Sequence, residues 1–491
     1  MSSSLNQRAA IALQDAPLQQ ALGGAMAHFV TGRRRAFAAL PHGEALRDHA
    51  RSLRAHTIAH LDEHLLAFER HAQANDSQVH WARDAEEARK IVMHIARQND
   101  VRRVVKSKSM LSEEIEINKV LERAGLEVLE TDLGEYIVQL AGDHPSHIIA
   151  PAVHWRLEDV AQLFHKHLHT SLDLDIPGLQ AAARQALRAG FLQADMGISG
   201  ANFICAETGS VALVTNEGNG RFVTTTPRIH VALAGIERLA PSLADLGTLL
   251  QVLARSATGQ GLSVYTSILT GPRRTPDEDG PEQVHIILID NGRTTALAGE
   301  MAEILYCIRC GACLNVCPVY LRIGGHAYDA VYPGPVGSVV MPALAGPGAG
   351  SELPQASSLC GACVEACPVR IDIPRMLLKL RADAVAQGQA PAWLKTGLKL
   401  YARAATTPRL FRLAAKAAAL VQRLWPGKAQ GWSRRLPPPL NAWTDARAFP
   451  PLATTSFSEQ WRKRGREQGA RGREQGAGGK GQGAGGKERG A

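Results

Sequence analysis

The chain contains the stretch Cys307-Ile-Arg-Cys310-Gly-Ala-Cys313-Leu-Asn-Val-Cys317-Pro318, from which the interpretation of the whole sequence proceeds. Its two-residue gaps form a tight loop that can direct successive thiolates at different metal atoms. The proline has no backbone N–H and prevents the loop from continuing as a helix. A structural zinc site would need two separate Cys-x2-Cys pairs and four ligands in all, so this run argues against zinc.

A second run repeats the first about fifty residues later. It reads Ser357-Ser-Leu-Cys360-Gly-Ala-Cys363-Val-Glu-Ala-Cys367-Pro368, with a serine where the first cysteine of the earlier run stands. The Cys-x2-Cys-x2-Cys-x3-Cys-Pro spacing is that of bacterial two-cluster ferredoxins, in which the fourth cysteine of a run binds the other cluster. The sequence therefore predicts two iron–sulfur clusters of the 4Fe-4S type.

The ferredoxin exchange predicts which cysteines share a cluster. The predicted ligands of the first cluster are Cys307, Cys310, Cys313 and Cys367. Those of the second are Cys317, Cys360 and Cys363, and its fourth iron has no obvious thiolate. Three solutions stay open: Ser357 or another side chain binds that iron, a solvent or partner ligand binds it, or the second cluster is 3Fe-4S.

Composition and length describe an ordinary globular protein. The 491 residues are 45% hydrophobic and 21% charged, enough for several domains with a large core. The N-terminal 22 residues lack a signal-peptide pattern, and the most apolar stretch, residues 413–425, carries two cations. Clustered cysteines without a secretion signal indicate metal binding in a reducing cytoplasm. We expect no transmembrane segment, and a peripheral position at the inner membrane face stays compatible.

The net charge of +9 is concentrated at the C-terminus. Residues 462–491 hold nine Lys or Arg and three Glu in a repetitive, Gly-rich sequence without an apolar face. Such a segment is predicted to be a disordered, solvated tail. Contact of the tail with RNA or anionic lipid is the less favoured reading, and no nucleic acid is expected as a partner.

The chain before the cysteine runs changes pattern near residue 76. Residues 1–75 have helical periodicity, whereas residues 76–295 alternate between helices and strands, which predicts an α/β domain with a largely parallel sheet. The predicted helices in this alternation are Asp84–Asn99 and Ser112–Ala124. The predicted strands are Val101–Lys106, Leu126–Glu130, His147–Pro151, Val211–Thr215 and Val284–Ile289. The remaining predicted domains are 296–385, of the ferredoxin type, a helical extension over 386–461, and the tail over 462–491.

Polar loops in the α/β domain offer candidate binding residues. The loop Lys106-Ser-Lys-Ser-Met110 could hold an anion or simply form a strand–helix turn. Glu207, Thr208 and Asn219 lie in two loops around one strand and are the candidates for binding a small carboxylate substrate. Cys205 stands alone among apolar residues and is predicted to be a buried hydrophobic residue.

Several stretches together resemble one family, the lactate-utilization protein B family. They lie between about residues 30 and 460 and occur in the family's order. They are Lys106-Ser-Lys-Ser-Met110 with Glu113-Glu114, Glu130-Thr-Asp-Leu-Gly-Glu-Tyr136, Pro145-Ser-His-Ile-Ile149, Gly200-Ala-Asn-Phe203, Ala206-Glu-Thr-Gly-Ser210, Thr215-Asn-Glu-Gly-Asn219, Gly324-Gly-His-Ala-Tyr328, Tyr332-Pro-Gly-Pro335 and both cysteine runs.

The resemblance implies a fold and a function. The fold is an α/β LUD domain similar to the NagB/RpiA/CoA-transferase group, followed by a ferredoxin-type two-cluster domain and a helical C-terminal extension. A serine at position 357 would be a family trait. The function would be that of an iron–sulfur electron-transfer subunit of an L-lactate-oxidising complex, with other subunits as partners and an unknown electron acceptor.

Two other functions compete with this one. The first is an iron–sulfur subunit of another 2-hydroxyacid oxidase, of the glycolate type, which the cysteines alone cannot distinguish. The second is an iron–sulfur regulatory or nucleic-acid-binding protein that uses its basic tail, although no helix-turn-helix and no aromatic–basic patch supports it. No flavin motif is present, so a partner or an unrecognised site would handle the two-electron step.

Overall fold

The computed structural model describes residues 4–346, 350–389, 392–424, 428–429, 431–438, 440–444 and 447–466. The chain divides into two compact units, Met1–Gln387 and Gly388–Ala491. Each unit is described by itself below. Among the described residues, no helix is both long and apolar enough to cross a membrane.

The strands and helices of the described residues follow in chain order. The strands are β1 (Gln78–Ala82), β2 (Arg103–Lys106), β3 (Glu127–Glu130), β4 (Met196–Gly200), β5 (Phe203–Cys205), β6 (Ser210–Thr215), β7 (Ile229–Gly235), β8 (Leu239–Ala240), β9 (Tyr265–Leu269), β10 (Gln283–Ile289), β11 (Lys428–Ala429) and β12 (Trp432–Ser433). The α-helices are α1 (Leu5–Gln14), α2 (Ala16–Ala38), α3 (Gly43–Ala59), α4 (Leu61–Ala74), α5 (Ala85–Gln98), α6 (Met110–Glu114), α7 (Ile117–Arg123), α8 (Leu133–Ala141), α9 (Leu157–Leu168), α10 (Ile176–Gln193), α11 (Asn219–Thr225), α12 (Leu243–Ala257), α13 (Arg293–Ala298), α14 (Ala312–Asn315), α15 (Tyr320–Ile323), α16 (Gly334–Ala345), α17 (Ala362–Ala366), α18 (Ile373–Ala386), α19 (Ala392–Ala405), α20 (Pro408–Leu424) and α21 (Asn441–Thr444). Short 3-10 helices cover Ile236–Arg238, Ala302–Tyr306, His326–Tyr328 and Leu353–Gln355.

A six-stranded parallel sheet forms the centre of the first unit. Its order is β1-β10-β7-β4-β2-β3, and every neighbouring pair runs parallel. The central strand β7 is buried along its whole length, as expected where both faces of a parallel sheet are covered. A smaller four-stranded sheet has the order β8-β5-β6-β9. The predicted parallel-sheet α/β core is confirmed.

The helices begin where the sequence supplies caps. Asp84 accepts a hydrogen bond from the amide of Glu87 and starts α5, and Asp132 accepts from the amide of Gly134 and starts α8. The chain before the sheet forms the helices α1 to α4. The predicted helix over 112–124 is divided in two, because Glu116 adopts a left-handed backbone conformation with φ +50° between α6 and α7.

The predicted strand His147–Pro151 is wrong. The chain turns there, and the amides of Ile149 and Ala150 donate to Nδ1 of His147 at 3.2 and 3.3 Å instead of to a neighbouring strand. The run of apolar residues was taken for a strand, but it lies in the loop that contacts the cysteine-rich region. Gly218, with φ +78°, is the N-cap of α11.

The cysteine-rich region packs on the N-terminal helices and on the loop over residues 143–154. Helix α2 contacts both α14 and α15, and the hydroxyl of Tyr320 donates to the carbonyl of Ser146 at 2.7 Å. Gly325 lies so close to this loop that a Cβ there would approach the Ser146 carbonyl oxygen to 1.8 Å. Buried residues of these parts and of the sheet form one continuous core.

The second unit is mainly helical over its described residues. Helices α19 and α20 contact each other, and α20 begins at Pro408. Residues 457–466 are helical, so the described beginning of the predicted disordered tail is ordered. The rest of that predicted tail, residues 467–491, lies outside the described residues.

Candidate metal centre and the adjoining cavity

Two cysteine loops of the same backbone shape form the candidate metal centre. In the first loop, Arg309 and Gly311 have φ values of +57° and +75°. In the second, Leu359 and Gly361 have φ values of +57° and +81°. A short helix follows each glycine, α14 in the first loop and α17 in the second. The sequence repeat is therefore also a repeat of backbone conformation.

One group of thiols consists of Cys307, Cys310, Cys313 and Cys367. Burial raises the pKa of Cys310 to about 12, and the neighbouring Cys367 and Cys307 raise it further. Burial also raises the pKa of Cys313, with contributions from all three other members and from Cys363. Cys367 has its pKa raised to about 11 by burial and by Cys307. These four thiols lie close enough to affect one another's ionisation.

The second group of thiols consists of Cys317, Cys360 and Cys363. Burial raises the pKa of Cys363 to about 12, with Cys317 and Cys360 as the neighbouring thiols. Burial raises the pKa of Cys317 as well, and Cys360 adds to that shift. Cys360 itself is exposed, whereas the other two are buried. The two groups are also near each other, because Cys363 contributes to the raised pKa of Cys313. The assignment of each cysteine to a cluster stays a prediction.

The thiols fit iron–sulfur clusters chemically. All seven cysteines of the two runs are unbridged, and five of them are buried. A buried thiolate without a cation is costly, which is why burial raises these pKa values. A bound metal cation removes the proton from a coordinating thiol outright, so this donor set is suited to a metal centre. Backbone amides also point at sulfur: Ile371 N donates to Sγ of Cys367 at 3.4 Å.

Ser357 occupies the position of a first cysteine in three dimensions as well as in sequence. The amide of Arg309 donates to Sγ of Cys307 at 3.4 Å. The amide of Leu359 donates to Oγ of Ser357 at 3.1 Å, which is the same i+2 to i hydrogen bond. The serine oxygen therefore lies where the loop would place a ligand atom.

Several cations lie near the first group of thiols. Arg309 is 8% exposed, and the Cys307 thiol contributes to the raised pKa of its guanidinium against the effect of burial. Nη2 of Arg47 donates to the carbonyl of Cys367 at 2.8 Å. Arg33 interacts electrostatically with Cys310 and Cys367.

His147 contacts the first cysteine loop from the loop over residues 143–154. Its Nε2 lies 3.0 Å from Oδ1 of Asn315, and its Nδ1 accepts two backbone amides, so Nε2 carries the proton. Burial, together with the nearby Lys108 cation, lowers the pKa of His147 to about 3 and keeps the ring neutral. A Cβ on Gly311 would lie 3.1 Å from this ring.

A second cluster of polar side chains lies next to this loop. Ligand atoms of Asp143, His154 and His326 lie within 4.8 Å of one another. Nε2 of His154 is 2.9 Å from Oδ2 of Asp143, and Nε2 of His326 is 2.8 Å from the carbonyl of His144. Hydrogen bonds within the protein thus account for the Nε2 atoms of both His154 and His326. We assign this cluster a structural role.

A cavity of about 260 Å³ adjoins the first cysteine loop. It lies at the carboxyl ends of the parallel strands, the usual place for a ligand in such sheets. The residues that follow β2, β3, β4, β7 and β10 line it, together with two residues from the cysteine-rich region. Those residues include Ser107, Lys108, Ser109, Asp132, Asn202, Glu237, Arg238 and Arg293, with Arg309 and Tyr332 on the other side.

One wall of the cavity is a buried charge network. Arg293 binds both carboxylate oxygens of Glu114 at 2.9 and 3.0 Å, and its Nε binds Oε2 of Glu237 at 2.6 Å. The hydroxyl of Tyr332 donates to Glu114 at 2.7 Å. Glu217 also lines the cavity, and burial followed by the nearby Asp132 carboxylate raises its pKa to about 7.

The predicted substrate residues are separated in the structure. Asn219 lines the cavity, but Glu207 and Thr208 do not. Oε2 of Glu207 accepts the amide of Leu243 at the start of α12, a helix-capping position on the surface. The buried Cys205 has the role predicted for it.

Sequence reasoning missed the residues that line the cavity from distant parts of the chain. Arg238 and Arg293 stand in no recognisable motif, and only the fold brings them to the cavity. Glu114 and Tyr332 lie in stretches that carry the family resemblance, which was the available signal.

Comparisons with known proteins agree with this architecture. The LUD domain model matches residues 65–289, and the 4Fe-4S dicluster domain model matches residues 303–371. Lactate utilization protein B from Bacillus pumilus is 40% identical over 95% of this chain and 98% of its own length. The same-named protein from Geobacillus thermodenitrificans is 42% identical over 87% of this chain and 89% of its own length.

An "uncharacterized electron transport protein", YkgF of Escherichia coli, is 39% identical over 93% of this chain and 95% of its own length. Among solved structures, a DUF162 family protein from Deinococcus radiodurans is 14% identical, with a TM-score of 0.28. The match covers 47% of this chain and 98% of that one. With the dicluster match, the cysteine-rich region is that of a protein with two iron–sulfur clusters.

Proposed function

Because the chain belongs to the lactate utilization protein B family, we propose that it is the iron–sulfur electron-transfer subunit of a complex that oxidises L-lactate to pyruvate. The names of its relatives support lactate utilization, and the name of the Escherichia coli relative supports electron transport. We propose other subunits of that complex as its partners. The two-electron step on lactate would then belong to such a subunit, since no flavin motif is present in this chain.

The observation that carries the proposal is that the two runs bring seven unbridged thiols together, five of them buried. Iron–sulfur clusters, when bound, accept and release one electron at a time. We assign Cys307, Cys310, Cys313 and Cys367 to the first cluster. We assign Cys317, Cys360 and Cys363 to the second. The chain's own contribution is to hold the thiolates, to donate backbone amides to sulfur and to place cations near the first group.

Ser357 is our candidate for the fourth ligand of the second cluster. Its Oγ accepts the Leu359 amide in the way that the Cys307 sulfur accepts the Arg309 amide. This equivalence favours Ser357 over a solvent ligand and over a 3Fe-4S cluster.

Domain boundaries at residues 76, 296 and 386 are part of the same proposal. The LUD and dicluster matches, over 65–289 and 303–371, support an α/β domain followed by a ferredoxin-type domain. The parallel sheet with a cavity at its carboxyl edge supports a relation to the NagB/RpiA/CoA-transferase group.

The test is the iron and sulfide content of anaerobically purified protein, with electron paramagnetic resonance (EPR) spectra before and after dithionite. We expect about eight irons per chain and, on reduction, a signal from two interacting 4Fe-4S centres. About seven irons with a signal in the oxidised protein would mean that the second cluster is 3Fe-4S and that Ser357 is not a ligand. Zinc in place of iron would overturn electron transfer itself.

We also propose that the chain associates with the inner face of the membrane through its second unit. Residues 384–444 contain ten Lys or Arg and no Asp or Glu. Helices α19 and α20 have almost no buried residues, and α20 exposes Leu413 by 66% and Leu424 by 79%. Exposed apolar residues beside clustered cations suit an anionic lipid surface.

Flotation with phosphatidylglycerol vesicles tests this association, with phosphatidylcholine vesicles as the comparison. We expect flotation only with the anionic lipid and its loss when Lys395, Lys399 and Arg403 are changed to Gln. A chain truncated after Arg466 keeps the two helices and should still float. Equal flotation of the triple variant, or loss on truncation alone, would refute the role of these helices.

A further inference from the structure

We propose that the cavity at the carboxyl edge of the parallel sheet binds a small 2-hydroxy or 2-oxo carboxylate, with Arg238 and Arg309 holding the carboxylate group. The inference rests on the proposed function for the identity of the acid, and on the charges of the cavity for the presence of a site. It replaces Glu207 and Thr208 as substrate residues.

The first argument is that Arg309 has buried donors without acceptors. Its Nε and Nη1 are fully buried and donate no hydrogen bond to any residue that the structure describes. Cζ of Arg309 lies 4.5 Å from the centre of the Tyr332 ring. This contact supplies no hydrogen-bond acceptor for Nε and Nη1. A buried charged donor without an acceptor is costly, so a ligand oxygen in the cavity would satisfy it.

The second argument is an excess of guanidinium groups around one carboxylate. Glu237 already binds Arg293 at 2.6 Å. Arg238 lies 3.9 Å from the same carboxylate and Arg309 lies 3.7 Å from it, both beyond hydrogen-bond distance. The nearby carboxylate of Glu114 binds Arg293 with both oxygens. Arg238 and Arg309 therefore share a single oxygen, Oε1 of Glu237, and neither reaches it at hydrogen-bond distance.

The third argument is the position of a further cation. Lys108 lines the same cavity, and its Nζ is buried without a hydrogen-bond partner among the described residues. Its nearest carboxylate oxygen, on Glu135, is 3.9 Å away. Cationic groups thus reach the cavity from the loop after β2, from the segment after β7 and from the cysteine loop.

The lining also limits the class of ligand. Planar guanidinium groups match a carboxylate in a bidentate geometry. Leu213, Val214, Leu233, Leu253 and Ala257 supply apolar walls that suit a short carbon chain. Asn202 and Asn219 offer neutral polar groups suited to a hydroxyl or a keto oxygen. A small acid with one such oxygen beside its carboxylate uses all three features.

The cavity also explains why the site and the first cysteine loop meet. Arg309 lies between Cys307 and Cys310 in sequence and lines the cavity with its side chain. An acid bound there changes the charge beside the first group of thiols. Binding should therefore alter the EPR spectrum of the first cluster and leave the spectrum of the second cluster unchanged.

The experiment uses the full-length protein with its clusters intact, under anaerobic conditions. Equilibrium dialysis with radiolabelled pyruvate and L-lactate measures binding, and EPR of the dithionite-reduced protein with pyruvate measures the effect on the clusters. We expect one saturable site per chain. Arg238→Gln should weaken binding at least ten-fold, the loss expected for a charged hydrogen bond, and leave the iron content unchanged.

Arg221→Gln is the matched control, because Arg221 packs over Tyr265 and does not line the cavity. It should bind like the parent protein. Absence of saturable binding, an Arg238→Gln variant that binds normally, or displacement by inorganic phosphate at equal concentration would each overturn the inference. If a reconstituted complex still reduces the clusters with lactate while this chain binds no acid, the inference fails and the proposed function stands.

Discussion

The two cysteine loops have one backbone and two environments. Both place a residue with φ +57° before the second ligand position and a glycine with φ near +80° after it. The first loop is contacted by helix α2 and by His147, and Arg309 lies within it. Arg47 donates instead to the carbonyls of Glu365 and Cys367 in the second loop. The second loop has an exposed cysteine and a serine at its first position.

This difference separates what local sequence determines from what packing determines. Glycine and proline at fixed offsets give both loops their shape, so a repeat in sequence becomes a repeat in conformation. The surroundings come from residues more than 150 positions away, such as the loop after residue 143 and helices α2 and α3. The same loop can therefore keep its cysteines from full exposure in one copy and leave Cys360 exposed in the other.

The largest expected effect comes from removing a central thiol of either loop. Cys313→Ala leaves three thiolates for the first cluster, so it should lose between one and four irons and the 4Fe-4S signal of that cluster. Cys363→Ala should lose the other cluster, and the two variants should retain complementary EPR signals. Iron analysis and EPR of the reduced protein check this.

Cys205→Ala is the control for those variants, since Cys205 is buried in the α/β region and belongs to neither group. It should keep its full iron content. Loss of both clusters in Cys313→Ala would mean that the two loops fold only together. The environments of the two loops could then not be compared with such variants.

The second prediction concerns the serine of the second loop. Ser357→Cys should keep about eight irons and shift the reduced spectrum of the second cluster, because a thiolate replaces an oxygen ligand. Ser357→Ala should lose one iron and show a 3Fe-4S signal in the oxidised protein. Ser358→Ala, at the neighbouring exposed serine, should change neither. A spectrum of Ser357→Ala identical to that of the parent would exclude Ser357 as a ligand.

The sequence was most informative where chemistry fixes spacing. The cysteine runs predicted an iron–sulfur dicluster domain, and strand–helix alternation predicted the parallel sheet. The loop at His147 was misread because its apolar residues pack against another part of the chain rather than in a sheet. Arg238 and Arg293 could not be found, because residues after separate strands become neighbours only at the sheet edge.

The third prediction uses the exposure of Cys360. Air or an iron chelator should remove iron from the second cluster before the first, because its thiolate is accessible to solvent while the first loop is covered. Following the two EPR signals over time after exposure to air checks the order. Equal rates of loss would show that the cover over the first loop does not restrict access.

The smallest effect should come from single cations. Arg309→Gln removes a buried positive charge beside Cys307. Because the loss of this charge disfavours the reduced cluster, the potential of the first cluster should fall by about 60 mV, or about 1.4 kcal/mol. Arg370 is the matched comparison, since it too has a left-handed backbone, with φ +49°, and lies beside Cys367. Its guanidinium is bound by Glu44 at 2.7 Å and Asp48 at 2.5 Å and is one-third exposed.

Arg370→Gln should therefore change the potential far less than Arg309→Gln does. Its charge is already balanced by two carboxylates and screened by water, whereas the Arg309 cation is buried and its nearest carboxylate oxygen lies at 3.7 Å. Redox titration followed by EPR measures both variants. Equal shifts in potential would mean that burial and ion pairing do not change how strongly a cation affects the cluster. The environments of Arg309 and Arg370 would then be equivalent for this purpose.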